Sequence, residues 1–137
     1  MSSWTEVDLA NVGADTDLLP EGKYTFELLP GARYDKWDPE RIKVAAKTVG
    51  GEFPGRVKYF DYPSPAKVGE WVRGVFIRLT RAAGVEIESG QDPVDYLNQE
   101  SVVGANFTAK VYHRVFDKEG ESQTKDDIKI GSILPVR

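Results

Sequence analysis

The stretch Val68–Ala83 carries the clearest helical spacing in this chain. Trp71, Val72, Val75, Phe76, Leu79 and Ala83 recur on one stripe, while Glu70, Arg73, Arg78 and Arg81 lie mostly off it. A single amphipathic helix cannot bury its stripe alone, so it needs a sheet. The segments around it read as strands. Before it, Lys23–Leu29, Arg41–Val49 and Arg56–Asp61 alternate apolar and polar residues. After it come Val102–Phe116, which contains the fourth strand, and Ile128–Leu134. Gly84 suits the helix stop, and Asp92-Pro93 opens a short helical turn to Asn98. The order β-β-β-α-β-β predicts an all-β fold with one main helix: a five-stranded OB-fold barrel. Residues 1–22 read as an acidic, extended N-terminal arm and 23–137 as the OB-fold domain.

The hairpin Arg41–Tyr62 holds the most informative chemistry. Ile42, Val44 and Ala46 alternate with Arg41, Lys43 and Lys47. In the second arm, Val57 and Tyr59 alternate with Arg56, Lys58 and Phe60. This assigns five cations and the Phe60 ring to one solvent face. The chain carries a net charge of −4, yet residues 41–83 hold nine Lys/Arg against three Asp/Glu. Residues 1–40 hold nine acids against three bases, and 84–101 hold five acids and no base. Polyanion affinity follows the local patch rather than the total. The fourth strand offers a Lys110, Tyr112, Arg114 row, and the loop 31–40 sets Tyr34 and Trp37 among charges. Cations that follow phosphates, interleaved with rings that stack bases, are what a single-strand binder requires. In the OB-fold that surface is the second and third strands with the flanking loops, here 31–40 and 117–127. The expected contacts are therefore Arg41, Lys43, Lys47, Arg56, Lys58, Phe60, Lys110, Tyr112, Arg114, Trp37 and Tyr34. The plain alternative for each is an ordinary solvated strand face.

Catalytic chemistry is not visible. His113 is the only histidine and cysteine is absent, which excludes thiolate catalysis, disulfides and Cys-ligated zinc. No phosphate-cradling glycine motif is present. Asp126-Asp127, and Asp35 with Asp38, could hold a divalent ion but match no EF-hand loop. The expectation is a non-enzymatic protein with no cofactor and no metal. The absence of cysteine, of a long apolar run and of a leader-like start leads to a cytoplasmic, non-membrane expectation.

Short motifs add a resemblance. Asp8-Leu9-Ala10-Asn11-Val12 followed by Leu19-Pro20-Glu21-Gly22-Lys23-Tyr24 resembles the opening of a family of small phage proteins. Gly55-Arg56-Val57-Lys58-Tyr59-Phe60-Asp61 is similar to that family's "Gly-Arg … Phe-Asp" strand, and Arg78-Leu79 and Val103-Gly104 are also similar. The resemblance implies an OB-fold single-stranded-DNA-binding protein acting in phage replication or recombination, in the host cytoplasm. Single-stranded DNA is the expected partner, with replication or recombination proteins and a second copy of the chain as further candidates. Bacterial single-strand binders carry an acidic C-terminal tail, whereas this chain ends Ile133-Leu134-Pro135-Val136-Arg137. The alternative is a protein-interaction or virion β-barrel whose basic face meets an acidic partner.

Overall fold

The computed structural model describes residues 18–136. Most of the expected arm, residues 1–17, and Arg137 lie outside the described residues. The strands are β1 (Gly22–Leu28), β2 (Arg33–Tyr34), β3 (Ile42–Thr48), β4 (Val57–Tyr62), β5 (Asn106–Lys118) and β6 (Glu121–Pro135). The helices are α1 (Pro65–Val68), α2 (Trp71–Ala83) and α3 (Pro93–Leu97). The fold is mostly β, an antiparallel six-stranded sheet with few helices.

The expected five-stranded barrel is corrected on two points. A two-residue strand, β2, lies beyond β1 along one edge of β3, with Arg33 opposite Lys43 and Tyr34 opposite Ile42. The break between β1 and β2 is bridged by Asn98. Its side-chain oxygen accepts from the Gly31 and Ala32 amides, both at 3.0 Å. The sheet is also open: pairing runs β4-β3-β1-β5-β6, and β4 and β6 are edge strands with no ladder between them. Side chains fill the seam instead. The Lys58 ammonium reaches Asp126 across it at 2.6 Å, and Arg78 of α2 donates to the Gly131 carbonyl at 3.1 Å, so that acceptor is spent.

The loop expected over 117–127 is also corrected. β5 and β6 form a long ribbon, with His113 opposite Asp126 and Lys118 opposite Glu121. Glu119 and Gly120 both take positive φ (55° and 81°), the tight turn that joins twisted strands directly. β1 pairs with β5 only as far as Val111, so residues beyond it stand out from the sheet as two strands.

Period-two alternation explains β3, where Ile42, Val44, Ala46 and Thr48 are buried and the residues between are half-buried. On α2, Val72, Val75 and Leu79 are buried and Gly84 caps the helix with φ 73°. The helix starts later than expected, because Gly69 (φ 85°) separates it from α1. A continuous run of rings crosses the core: Phe26, Phe107, Phe60, Tyr62, Phe76 and Tyr96, each 5.4–6.1 Å from the next. Such contacts add specificity to burial.

Candidate nucleic-acid interface

Strand register decides which side chains reach the surface. Across β3 and β4, Val44 faces Phe60 and Ala46 faces Lys58, whereas Lys43 faces Asp61 and Ala45 faces Tyr59. Directly opposed residues share a face. Phe60 and Lys58 therefore point to the buried side with Val44 and Ala46. This corrects the expected solvent face of β4. Phe60 is 5% exposed and packs on Phe107 and Tyr62, and Tyr59, at 66%, is the ring that β4 presents outward.

Burial of Lys58 requires a counter-charge. Asp126 supplies it, and its other oxygen accepts from the Leu19 amide at 2.6 Å. Burial raises the carboxyl's pKa, but the Lys58 ammonium and the Leu19 N–H outweigh that and hold it below its usual value. Leu19 is fully buried, and its carbonyl lies 2.7 Å from His113 Nε2. The sole histidine thus has a structural partner.

Between the edge strands β4 and β6 lies a groove of about 560 Å³. Arg41, Lys43, Tyr59 and Asp61 line one wall, and Tyr112, Arg114, Lys125, Asp127 and Lys129 the other. Trp71, on the first turn of α2, closes one side, while Phe60, Ile128 and Ile130 contribute apolar surface. Five cations meet two carboxylates, and three rings are accessible: Tyr59, Trp71 and Tyr112. On the β5–β6 wall the pattern follows from register: Tyr112 lies opposite Asp127, Arg114 opposite Lys125 and Lys110 opposite Lys129.

Several of these cations already have partners. Arg41 lies 3.5 Å from Asp61, and Lys43 lies 3.3 Å from Asp35. Asp127 bridges Arg114 at 2.7 Å and Lys125 at 3.5 Å. The hydrogen bond and the charge of Asp127 raise the Arg114 pKa. Exposed pairs of this kind contribute roughly 0–1 kcal/mol, so they can be exchanged for phosphate contacts. The Arg41 Nε is buried without a hydrogen-bond partner. No ion pair engages Lys110 or Lys129 among the described residues.

The structure thus brings Arg41, Lys43, Tyr112 and Arg114 into one groove, with Phe60 beneath it. Lys110 lies beside it, sharing a shallow depression with Lys129 and Arg78. The other expected residues stand elsewhere. Lys47 pairs with Glu27 at 3.3 Å. Arg56 places its guanidinium 6.0 Å from the Phe53 ring centroid, near the hairpin turn. Trp37 is 87% exposed with the Lys36 ammonium 5.4 Å from its ring centroid. Tyr34 donates its hydroxyl to Asp92, which raises the phenol pKa to about 12. The candidate ion-binding acids are also spent: Asp35 caps the turn amides of Trp37 and Asp38, and Asp126 and Asp127 point to opposite faces. Among the described residues no group of three or more His, Asp or Glu converges to hold a metal ion, and no helix is long and apolar enough to cross a membrane.

Sequence reasoning missed Tyr59, Trp71, Lys125 and Lys129. Trp71 had a usable signal: it lies one residue, about 100° of turn, from Val72 at the centre of the stripe. Lys125 was hidden by reading its strand as a loop. Neither a known protein-family model nor a curated protein sequence matches this chain.

Proposed function

We propose that this chain is a non-enzymatic, largely sequence-independent single-stranded-DNA-binding protein that serves phage DNA replication or recombination. The observation that carries the reading is the groove between β4 and β6, where Tyr59, Trp71 and Tyr112 stand among Arg41, Lys43, Arg114, Lys125 and Lys129. The cations follow the backbone and the rings stack bases, each worth roughly 1–3 kcal/mol. The reading treats β1, β3, β4, β5 and β6 as the five strands of an OB-fold with an open seam, and α2 as its helix. Oligonucleotides cross such a fold over the strands that correspond here to β3 and β4, the wall that Arg41, Lys43 and Tyr59 form. The phage role rests on the family resemblance.

The test is a titration with labelled oligo-dT at low salt. Binding should weaken with salt at a log–log slope of roughly −0.7 per phosphate contacted. No binding at micromolar protein overturns the proposal. One observation favours a protein partner in the same groove. Asp61 and Asp127 are acceptors that a peptide can use and a phosphate chain cannot. A co-purifying protein displaced by Arg114→Glu, with no oligo-dT affinity, would support that second reading.

A further inference from the structure

We propose that this chain takes the junction between single- and double-stranded DNA: the groove holds the single strand, and a row of lysines on the outer face of the sheet, Lys129, Lys110 and Lys23, holds phosphates of the adjoining duplex. The proposal rests on the groove reading above and narrows its substrate class.

Register builds the row. Lys110 of β5 lies opposite Lys129 of β6 on one side and opposite Lys23 of β1 on the other. Directly opposed residues share a face, so the three lysines stand side by side on strands about 4.8 Å apart. All three are exposed, and none has an ion pair among the described residues. On the same face, Asp127 is held by Arg114 and Lys125, and Glu27 by Lys47. Like charges directly opposed on neighbouring strands destabilise a sheet. An anion laid across the row relieves both contacts.

The two strands slip register between Thr108 and Lys110, and Ser132 stitches that irregularity. Its hydroxyl accepts from the Lys110 amide at 2.7 Å and donates to the Lys129 carbonyl, so one side chain ties the backbones of both lysines. Irregularities of this kind re-aim side chains. Lys129 and Gly131 line both this depression and the groove, so the two surfaces are continuous.

Their chemistry differs. The groove has three accessible rings. The depression is lined by Arg78, Lys110, Lys129, Gly131, Ser132 and Leu134, with no ring among them. A single strand offers base faces to stack on, whereas the bases of a duplex are already stacked on one another. Cations without rings therefore fit a duplex backbone. The duplex also has the denser charge, one per roughly 1.7 Å of its axis. A few such contacts are weak alone, but a single strand held in the groove keeps its own duplex at high local concentration.

The test compares three labelled DNAs on the full chain: oligo-dT, the same oligo-dT as a 3′ or 5′ overhang on a hairpin duplex, and the blunt hairpin. The better overhang DNA should bind tightest. Its log–log salt slope should be steeper than that of oligo-dT by roughly 2–3, at about 0.9 per duplex phosphate. Lys23→Gln/Lys110→Gln should reduce that difference by about 2. Comparing two DNAs on one protein cancels the general loss of charge. The double variant should unfold at the same temperature as the parent or higher, because it relieves the opposed charges. Equal affinity and slope for overhang DNA and oligo-dT overturn the junction and leave the groove reading standing. An overhang advantage that survives the double variant overturns the lysine row. Blunt-hairpin binding weakened by the double variant, with no oligo-dT binding, upholds the row and overturns the groove reading instead. Poly-glutamate displacing the blunt hairpin as well as unlabelled hairpin does would overturn the duplex assignment.

Discussion

Lys58 Nζ lies 2.6 Å from Asp126 Oδ1, and this ion pair links the two edge strands of the sheet. The side chains are 18% and 6% exposed, so the pair is largely withdrawn from water. Removing one partner leaves a buried charge uncompensated. Lys58→Met should therefore destabilise the fold by about 3 kcal/mol. The double variant Lys58→Met/Asp126→Leu should recover most of that loss. Urea unfolding of the two variants decides the matter, and a double variant as unstable as the single one would refute the pairing.

Acid should act through the same carboxyl. The folded pKa of Asp126 lies below its ordinary 3.8, because Lys58 and the Leu19 amide outweigh desolvation. Its stabilisation is thus fully present above pH 3.8 and is lost as pH falls through the folded value, where the unfolded chain already binds the proton. Asp126→Asn should flatten this part of the stability–pH curve. An unchanged acid slope would show that the native carboxyl is not held ionised.

Adjacent rings on β4 should separate binding from folding. Tyr59→Ala removes an exposed ring and should leave stability within about 0.5 kcal/mol. It should weaken oligo-dT binding by roughly 1–3 kcal/mol. Phe60→Ala empties a core site and should cost about 3–5 kcal/mol of stability. Thermal unfolding and DNA titration on both proteins would expose any inversion of these roles.

The tryptophans distinguish the groove from the 31–40 loop. Trp71 lines the groove, whereas Trp37 stands apart in solvent with Lys36 over its ring. DNA should quench the emission of a variant retaining Trp71 alone and leave one retaining Trp37 alone nearly unchanged. The opposite pattern would move the interface to the loop.

Much of the fold was legible where one parity of a strand was clearly more apolar. Ile42, Val44 and Ala46 left no choice for β3, and Phe107, Ala109 and Val111 left none for the inner half of β5. β4 was ambiguous, because Tyr59 stands on one parity and Phe60 and Tyr62 on the other. Lys58 tipped the reading toward solvent. Only Asp126, 68 residues away, makes its burial tolerable, and no local pattern announces that partner. The open seam was hidden for a similar reason: whether β4 and β6 pair depends on side chains that meet only in three dimensions. The groove cations on β3 and β5 were readable from alternation. Lys125 on β6 was not, since Ser122–Asp127 is polar enough to pass for a loop.

The anchoring of Leu19 has a mechanical consequence. Its amide is fastened to β6 through Asp126, and its carbonyl to β5 through His113. Tension applied at the N-terminus would not peel β1 from its neighbours one bond at a time. It would pass sideways into the β5–β6 ribbon and through Lys58 to β4, spreading the load over both ends of the sheet before any ladder opens.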